Sequence, residues 1–215
     1  MRDITFTTTA TNRPAILRRT YASFSESITD INLRNTKLLI NIDPLPSRDK
    51  IADNIAVAEE FFGDVQARTP AEPNFSGAIN WLWSEANTPY IFHLEDDWIL
   101  IEPIKIKPLI VNMKDRLQII LRAYGYRYDK MVLSPSIIKR ELYSAIGGKL
   151  DVKLNPEIQL RNPAIAGFKI NRSMVLDFPH DRSKIIVKDI GRKWMARQKF
   201  KRPDKKSNFF KWVKK

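Results

Sequence analysis

With 215 residues, 43% of them hydrophobic, the chain is long enough to bury one sizeable core and is most simply a single domain. It has no cysteine and only two histidines, which excludes disulfides, thiolate catalysis and cysteine-based zinc sites and leaves carboxylates to carry any metal chemistry. The net charge of +13 suggests nucleic-acid binding at first, but residues 192–215 hold eleven Lys/Arg and one acid and so carry +10, which leaves the rest nearly neutral.

A strand followed by a helix opens the chain. Residues 4–9, Ile-Thr-Phe-Thr-Thr-Thr, are β-branched or aromatic and predict the strand, and the proline after Arg13 fits the first turn of a helix over residues 15–27. Thr8, Thr9 and Arg13 end the strand, where an α/β unit contacts phosphates or bases. The interpretation of these three as plain loop residues is equally open.

The second strand ends in an acid. Residues 37–42, Lys-Leu-Leu-Ile-Asn-Ile, predict a strand buried on both faces, and Asp43 followed by proline stops it. At that position an acid can accept a hydrogen bond from a ribose hydroxyl or a base N–H, or it is simply a turn aspartate before proline. A helix from Ser47 to about Phe62 and a short strand over residues 64–68 follow.

A third helix is predicted to begin near Asn74. The sequence from Asn74 to Asn80 places Ser76, Gly77 and Ala78 in its first turn, and these small side chains permit close approach of a strand or a ligand. The helix ends before the proline at position 89, which disfavours helical backbone in the residue preceding it.

The central strand, from Tyr90 onward, is an apolar run that ends in three acids and Trp98. Glu95, Asp96 and Asp97 repel one another and must be solvated, hydrogen-bonded or neutralised by a cation. At the carboxyl edge of an α/β sheet, hard oxygen donors suit Mg²⁺ or Mn²⁺ held by one or two carboxylates and substrate phosphates. The alternative is an acidic surface turn that binds no ligand.

Beyond Trp98 the pattern is less regular. His93, just before the acids, is expected to be buried, and His180 to be a loop residue. We expect, in chain order, a helix over residues 109–116, strands over 117–124 and 131–133, a helix over 137–146, a helix beginning at Asn155-Pro156-Glu157, and a strand over 184–188.

Five segments carry a resemblance: Thr7-Thr8-Thr9 with Thr11-Asn12-Arg13-Pro14; Asn74, Gly77 and Asn80; Leu94-Glu95-Asp96-Asp97-Trp98; Asn155-Pro156-Glu157; and Asp189-Ile190-Gly191-Arg192 with Trp194. In this order the chain resembles a small GT-A-fold glycosyltransferase, of the compact stand-alone kind that bacteriophages and large DNA viruses encode. The resemblance implies an α/β protein, a GT-A-like (Rossmann-type) α/β/α sandwich with a mostly parallel central sheet in a single domain. The catalytic domain would cover residues 1–191, divided near residue 98 into a nucleotide-binding half and an acceptor half, and residues 192–215 would form a basic tail.

The resemblance also implies roles for individual residues. Glu95-Asp96-Asp97 stands where the family has its Asp-x-Asp motif, so that Asp97 binds Mn²⁺ or Mg²⁺ directly and Glu95 or Asp96 acts through water or the ribose. Glu157 matches the region that supplies the general base in inverting members, or it is a first-turn glutamate favoured by the helix dipole. Arg192 would support the diphosphate. The nucleotide pocket would be lined by Thr8, Thr9, Arg13, Asp43, Asn74, Gly77 and Asn80.

The expected substrates are a nucleoside-diphosphate sugar as donor and a hydroxyl acceptor, which is a glycan, a lipid-linked sugar or a modified DNA base. The tail interleaves basic residues with aromatic ones, and it lies on an anionic membrane surface, follows a nucleic-acid backbone or is simply solvated. No apolar run reaches the roughly 18 residues of a membrane span, and the polar start does not resemble a secretory signal. We therefore expect a cytoplasmic protein, with peripheral membrane contact as an option.

A different class of function remains open at this point. A metal-dependent nuclease or nucleic-acid-binding protein would use the carboxylates for metal and the tail for phosphates. The near-neutral body and the lack of further acids at two-metal spacing argue against it. A non-catalytic interaction module is a third candidate.

Overall fold

The computed structural model describes residues 3–124, 131–162, 172–181, 183–201 and 213–214. Seven strands form one sheet in the order β3-β2-β1-β4-β7-β6-β8, while β5 pairs with β9 and β10 with β11. The strands are β1 (Ile4–Thr11), β2 (Lys37–Asp43), β3 (Asp64–Arg68), β4 (Tyr90–Glu95), β5 (Trp98–Leu100), β6 (Gln118–Leu121), β7 (Ser136–Lys139), β8 (Val175–Phe178), β9 (Val187–Asp189), β10 (Phe200–Lys201) and β11 (Val213–Lys214).

Helices connect the strands, as parallel pairing requires. The α-helices are α1 (Pro14–Ser27), α2 (Ile51–Phe61), α3 (Phe75–Glu85), α4 (Ile106–Asn112), α5 (Glu141–Ala145), α6 (Pro156–Arg161) and α7 (Gly191–Arg197). Pro14 begins α1 at the position where its missing N–H costs nothing, and the side chain of Asn74 caps α3 by accepting from Gly77 N at 2.7 Å. None of the helices in the described ranges is long and apolar enough to cross a membrane.

The register of the parallel strands brings the ends of β1, β2 and β4 together. Thr11 lies opposite Asp43 on β2, and Thr9 lies opposite Glu95 on β4. The antiparallel β7 starts at the same edge, because its first residue, Ser136, pairs with His93. This edge of the sheet therefore gathers the polar residues that follow the strands.

An aromatic cluster holds the two halves of the sheet to its helices. Phe6 on β1 packs against Phe92 and Phe62, with ring centroids 4.9 and 5.6 Å away, and Phe24 of α1 meets Phe92 edge-on at 5.9 Å. All four side chains are buried, and each contributes roughly 1.5–3 kcal/mol by leaving water. His93 is buried as expected: its Nδ1 lies 2.9 Å from Thr7 Oγ1, and burial lowers its pKa to about 3.

The predicted elements up to the acidic turn are confirmed, with ends displaced by a few residues. Two later predictions are wrong: residues 131–133 form no strand, and the helix expected over 137–146 is replaced by β7 and the short α5. The run Ser-Ile-Ile-Lys is buried between β4 and β6, and its β-branched side chains fit that position better than a helix. The helix expected over 109–116 lies earlier, at Ile106–Asn112, and the strand expected over 117–124 is limited to residues 118–121.

Candidate functional site

The acidic turn joins β4 to β5 at the carboxyl edge of the sheet. Its central acid, Asp96, is 3% exposed, and Arg13 donates to both of its carboxylate oxygens, at 2.6 and 3.2 Å. Thr11 donates its backbone N–H and its hydroxyl to Oδ2, at 2.9 and 3.0 Å, and Thr20 Oγ1 donates to the Asp96 carbonyl at 2.7 Å. Asp96 is thus a buried, hydrogen-bonded carboxylate that fixes the turn against β1 and α1.

Arg13 is the cation of this cluster. Its Nη2 also donates to Asp97 Oδ2 at 3.0 Å, and its guanidinium lies over the ring of Trp194 at 5.3 Å from the centroid. Burial acts to lower the pKa of Arg13, but the charges of Asp96 and Asp97 outweigh it, so the pKa is raised. Burial also raises the pKa of Asp96 against the opposing effect of Arg13. Since arginine keeps its proton, a positive charge faces both Asp96 and Asp97.

Asp97 is the acid that reaches the surface. Its side chain is 18% exposed, against 5% for Asp96. The backbone N–H of Ile190 donates to the Asp97 carbonyl at 2.8 Å, and the Asp97 carboxylate lies so close to Gly191 that a Cβ at that position would overlap it. The start of α7 therefore packs directly on Asp97, and only glycine fits there.

Glu95 precedes the turn at the end of β4. Its Oε2 accepts a hydrogen bond from Trp98 Nε1 at 2.8 Å, and the residue is partly exposed. Glu95 and Asp97 are therefore the two acids of the turn with solvent-accessible side chains, whereas Asp96 between them points inward.

Asp43 ends β2 on the same edge and is 7% exposed. Burial raises the pKa of its carboxyl to about 6, against hydrogen bonds from Asn41 and from the backbone N–H of Asn74 and the charge of Arg68. Asn41 Nδ2 donates to Asp43 Oδ1 at 2.9 Å. Asp43 thus ionises near neutral pH at the place where the sequence predicts a contact with a base or ribose.

The two predicted threonines of β1 face different ways. Thr8 is fully buried and accepts a hydrogen bond from Tyr21 OH at 3.0 Å, whereas Thr9 is partly exposed beside Glu95 and its carbonyl accepts from Asp96 N at 3.0 Å. Of the two, Thr9 is the one in position to meet a ligand at the edge.

Two of the three residues predicted for α3, Asn74 and Asn80, bond the segment before α6, and the third, Gly77, donates its backbone N–H to the Asn74 side chain. Asn80 binds the backbone of Leu150 through both its amide atoms, at 2.7 and 2.8 Å, and Asn74 Nδ2 donates to Val152 O at 3.1 Å. Gly77 lies against the Asn74 cap, where a Cβ would be 3.2 Å from Oδ1. These side chains hold residues 150–154 on the start of α3, which places α6 beside the edge.

Glu157 lies in the first turn of α6, where Asn155 caps the helix. Its Oε1 accepts from Leu133 N at 3.0 Å and its Oε2 from Arg161 Nη2 at 3.2 Å. Because Leu133 precedes β7, whose first residue pairs with the end of β4, these contacts bring Glu157 to the carboxyl edge as well. The carboxylate is partly exposed there.

Arg192, in the first turn of α7, lies farther out. Its Nε donates to Asp189 Oδ2 at 2.9 Å, and its side chain is 77% exposed. The expected boundary between catalytic domain and tail falls inside α7, so the first residues of the predicted tail belong to the helix that packs on Asp97 and Arg13.

Three residues of this site carry no role in the sequence-based prediction: Thr11, Thr20 and Gly191. Thr11 and Thr20 bond Asp96 across 85 and 76 residues of chain, and no local pattern marks such pairs. Gly191 belongs to the conspicuous Asp-Ile-Gly-Arg-Lys-Trp run, and a single glycine at a helix start next to a strand was the available signal.

The residues of the turn fit one mode of divalent-metal binding. No group of three or more His, Cys, Asp or Glu within the described part of the chain is arranged as a complete metal site. Asp96 is buried and bound at both oxygens by Arg13 and Thr11, so Asp97 and Glu95, whose side chains are partly exposed, are the acids of the turn that would supply oxygen donors. Mg²⁺ and Mn²⁺ held by one or two carboxylates and substrate phosphates need no protein cage, and this donor set suits them.

Neither models of known protein families nor curated proteins match this chain. Several solved structures, in contrast, match this chain. Residues 1–349 of TarS from S. aureus match with a TM-score of 0.60 and 10% identity over 85% of this chain and 59% of that chain. A second structure, of the same TarS residues in complex with UDP-GlcNAc, matches with a TM-score of 0.51 and 10% identity over 66% of this chain and 46% of that chain.

The mannosyltransferase PcManGT from Pyrobaculum calidifontis, in complex with GDP-Man and Mn²⁺, matches with a TM-score of 0.53 and 10% identity over 83% of this chain and 58% of that chain. The present chain thus spans 46–59% of the length of these three. At such low identity the similarity is one of fold: the chain is a single mixed α/β domain with a mostly parallel seven-stranded sheet, the GT-A-like architecture of these glycosyltransferases.

Proposed function

We propose that the protein is a metal-dependent glycosyltransferase that moves a sugar from a nucleoside-diphosphate sugar to a hydroxyl acceptor. The observation that carries the proposal is the acidic turn: Asp97 and Glu95 reach solvent at the carboxyl edge while Arg13 and Asp96 hold the turn rigidly from below. Ligands of open α/β sheets bind in the crevice at this edge. The fold is one that TarS, solved in complex with UDP-GlcNAc, and PcManGT, solved in complex with GDP-Man and Mn²⁺, also have.

The donor nucleotide would lie along the ends of β1 and β2. Asp43, once ionised, accepts a hydrogen bond from a base N–H or a ribose hydroxyl, and Thr9 lies between it and the acidic turn. Arg13 contributes indirectly, because its guanidinium is already bound to Asp96 and Asp97 and so orients them. Asn74, Gly77 and Asn80 support the site through the segment that they hold.

Asp97, with Glu95, would hold Mn²⁺ or Mg²⁺. Such an ion neutralises the negative charge that develops on the departing diphosphate. Glu157 is proposed to accept the proton of the acceptor hydroxyl in an inverting reaction, since its carboxylate is fixed by Leu133 N and Arg161 at the same edge. Arg192, exposed near the turn, would add positive charge beside the diphosphate.

A thermal-shift panel tests this proposal. UDP, GDP, CMP and dTDP are each added with and without Mn²⁺ to the full chain and to Asp97→Ala. Stabilisation follows RT ln(1 + [L]/Kd), so a nucleotide at about a hundred times Kd contributes about 2.7 kcal/mol, a plainly visible shift. We expect a metal-dependent shift with one nucleoside diphosphate and its loss in Asp97→Ala.

Asp115→Ala is the matched control, because Asp115 is an exposed acid away from the turn, and this variant should keep the shift. No shift with any nucleotide in a protein shown to be folded would overturn the proposal. A shift that persists in Asp97→Ala would retain nucleotide binding but remove Asp97 as the metal ligand.

A further inference from the structure

A pocket lies beside the acidic turn, because Trp98, the residue after Asp97, forms part of its lining. It has a volume of about 470 Å³, within the usual range of small-molecule sites. Seven of its ten lining residues are apolar or aromatic. The lining residues are Trp98, Ile99, Ile101, Ala123, Tyr124, Ile185, Val187, Lys188, Asp189 and Arg192.

The pocket shares a wall with the proposed catalytic turn. Trp98 follows Asp97 directly and pairs with Asp189, and the residues after Asp189 lead into Gly191, which touches the Asp97 carboxylate. A molecule in the pocket would therefore lie next to the acids that face the donor. An acceptor has to lie next to the donor in this way for the sugar to be transferred.

The lining of the pocket combines exposed apolar side chains with exposed basic ones. Tyr124 and Ile101 are 85% and 40% exposed, which is unusual for large apolar side chains in one place. Lys188 and Arg192 are exposed as well, and the only acid in the lining, Asp189, is bonded to Arg192 and to the backbone N–H of Gly191. The combination favours a ligand with an apolar body and a negatively charged group.

We propose that this pocket binds an amphipathic anion, an alkyl-type chain joined to a phosphate, with the chain against Trp98, Ile185 and Val187 and the phosphate at Lys188. A free polysaccharide fits poorly, because its hydroxyls require hydrogen-bonding partners, and the five aliphatic side chains of the lining cannot supply them. The role of this ligand as acceptor rests on the proposed function, whereas its binding does not.

Isothermal titration of the full chain with n-decyl phosphate, below its micelle concentration, tests the inference. Decyl maltoside is the matched neutral amphiphile and inorganic phosphate the matched anion. Because the apolar contact and the charge act together, decyl phosphate should bind at least about tenfold more tightly than either. Equal affinity for decyl maltoside would overturn the anionic half of the inference, and equal affinity for inorganic phosphate the apolar half.

Two variants locate the binding. Ile185→Asp places a charge on the apolar wall and Lys188→Gln removes one at the entrance, and each should weaken decyl phosphate binding about tenfold. Lys188→Gln should leave decyl maltoside unchanged. The controls are Val111→Asp and Lys107→Gln, exposed positions on α4, which should bind like the parent chain.

Saturating nucleotide separates this pocket from the donor site. Decyl phosphate should still bind in the presence of the nucleoside diphosphate that stabilises the protein, and displacement by it would assign the basic residues to the donor site and end the inference. Binding that persists unchanged in both pocket variants would also end it. If no nucleotide binds but decyl phosphate does, the pocket stands and the proposed glycosyl transfer fails.

Discussion

At the scale of single residues, the acidic turn depends on a buried ion pair. Arg13 and Asp96 are 4% and 3% exposed, and Asp97 joins them at the surface. Removing two charges from water is costly, and the hydrogen bonds from Thr11 and Arg13 offset that cost only while all partners are present. The arrangement is therefore sensitive to loss of one member.

Arg13→Ala should destabilise the protein by about 3–5 kcal/mol, because it leaves Asp96 buried without its cation. The measurement is chemical denaturation followed by tryptophan fluorescence. Arg18→Ala is the control: the Arg18–Glu60 pair is on the surface, so that variant should lose no more than about 1 kcal/mol. Similar losses for both variants would contradict the structural importance of the Arg13 cluster.

Asp43 predicts a pH dependence of stability. Its pKa is raised in the folded protein from 3.8 to about 6, so its favourable contribution is complete below pH 3.8 and is lost as pH rises through about 6. Asp43→Asn has no carboxyl at this position and does not lose this contribution. The unfolding free energy of Asp43→Asn minus that of the parent should therefore increase by up to about 3 kcal/mol between pH 4 and pH 7.

Urea denaturation across that pH range measures the difference. Asp115→Asn, at an exposed position, should follow the parent at every pH. Parallel profiles for Asp43→Asn and the parent would show that Asp43 does not titrate in this way. Nucleotide stabilisation of the parent should show the opposite trend and weaken below pH 6, since the ionised carboxylate is the hydrogen-bond acceptor.

The sequence predicts which residues belong to the site better than it predicts what each of them does there. The acids of the turn and Asp43 were found because an apolar strand that ends in carboxylates is a local pattern. That Asp96 faces inward is a consequence of Arg13, Thr11 and Thr20, which are distant in the chain. Sequence spacing contains no information on which of three consecutive acids finds such partners.

At the scale of secondary structure, α7 acts as part of the site. Its first residue, Gly191, allows the helix to approach the Asp97 carboxylate, and Trp194 one turn later covers Arg13. The antiparallel pairing of β9 with β5 positions this helix, since Asp189 pairs with Trp98.

Gly191→Ala should displace the Asp97 carboxylate, because a Cβ would overlap it. We expect loss of the Mn²⁺-dependent part of nucleotide stabilisation, with retention of the circular dichroism spectrum of the folded chain. Arg197→Ala, at the exposed end of the same helix, should keep the metal-dependent stabilisation. An unchanged metal response in Gly191→Ala would contradict the close packing described here.

The strand β7 shows where local patterns fail. Ser-Ile-Ile-Lys followed by Arg-Glu-Leu-Tyr stands before Gly147-Gly148, and the sequence therefore predicts a helix over residues 137–146 that ends at these glycines. The structure divides that run between β7 and α5 because the sheet needs a strand between β4 and β6. A short apolar run does not reveal whether a sheet has a position for it.

At the scale of the whole molecule, the order of strands and helices before residue 98 was predictable, because each unit has its own apolar run and its own breaker. The order of elements in the second half was less predictable, because its strands are short. In addition, β7 runs antiparallel to its neighbours β4 and β6, whereas β8 runs parallel to β6. Residues 125–130 and 163–171, which the notional acceptor half includes, lie outside the described residues.

The two halves should be separable by experiment. Glu157→Gln in the second half should lower turnover at least about hundredfold, since a general base is removed, while nucleotide stabilisation stays unchanged. The side-chain oxygen of glutamine can still accept the hydrogen bond from Leu133 N, so we expect the variant to fold like the parent. Glu141→Gln, at an exposed position of α5, is the control. Full activity of Glu157→Gln in a donor-hydrolysis assay would exclude Glu157 as the base.

The stacking of Trp194 on Arg13 joins a residue near the start of the chain to one near its end. Contacts between residues so far apart in sequence close a long loop, and their entropic cost delays them during folding. The parallel pairing of β1 with β2 and β4, and the bonds of Thr11, Arg13 and Thr20 to Asp96, need only the first half of the chain, whereas the packing on Asp97 and Arg13 requires β9 and α7. During synthesis the protein would therefore build the β1–β4 part of its sheet first and complete the packing around Asp97 last, once residue 194 has left the ribosome.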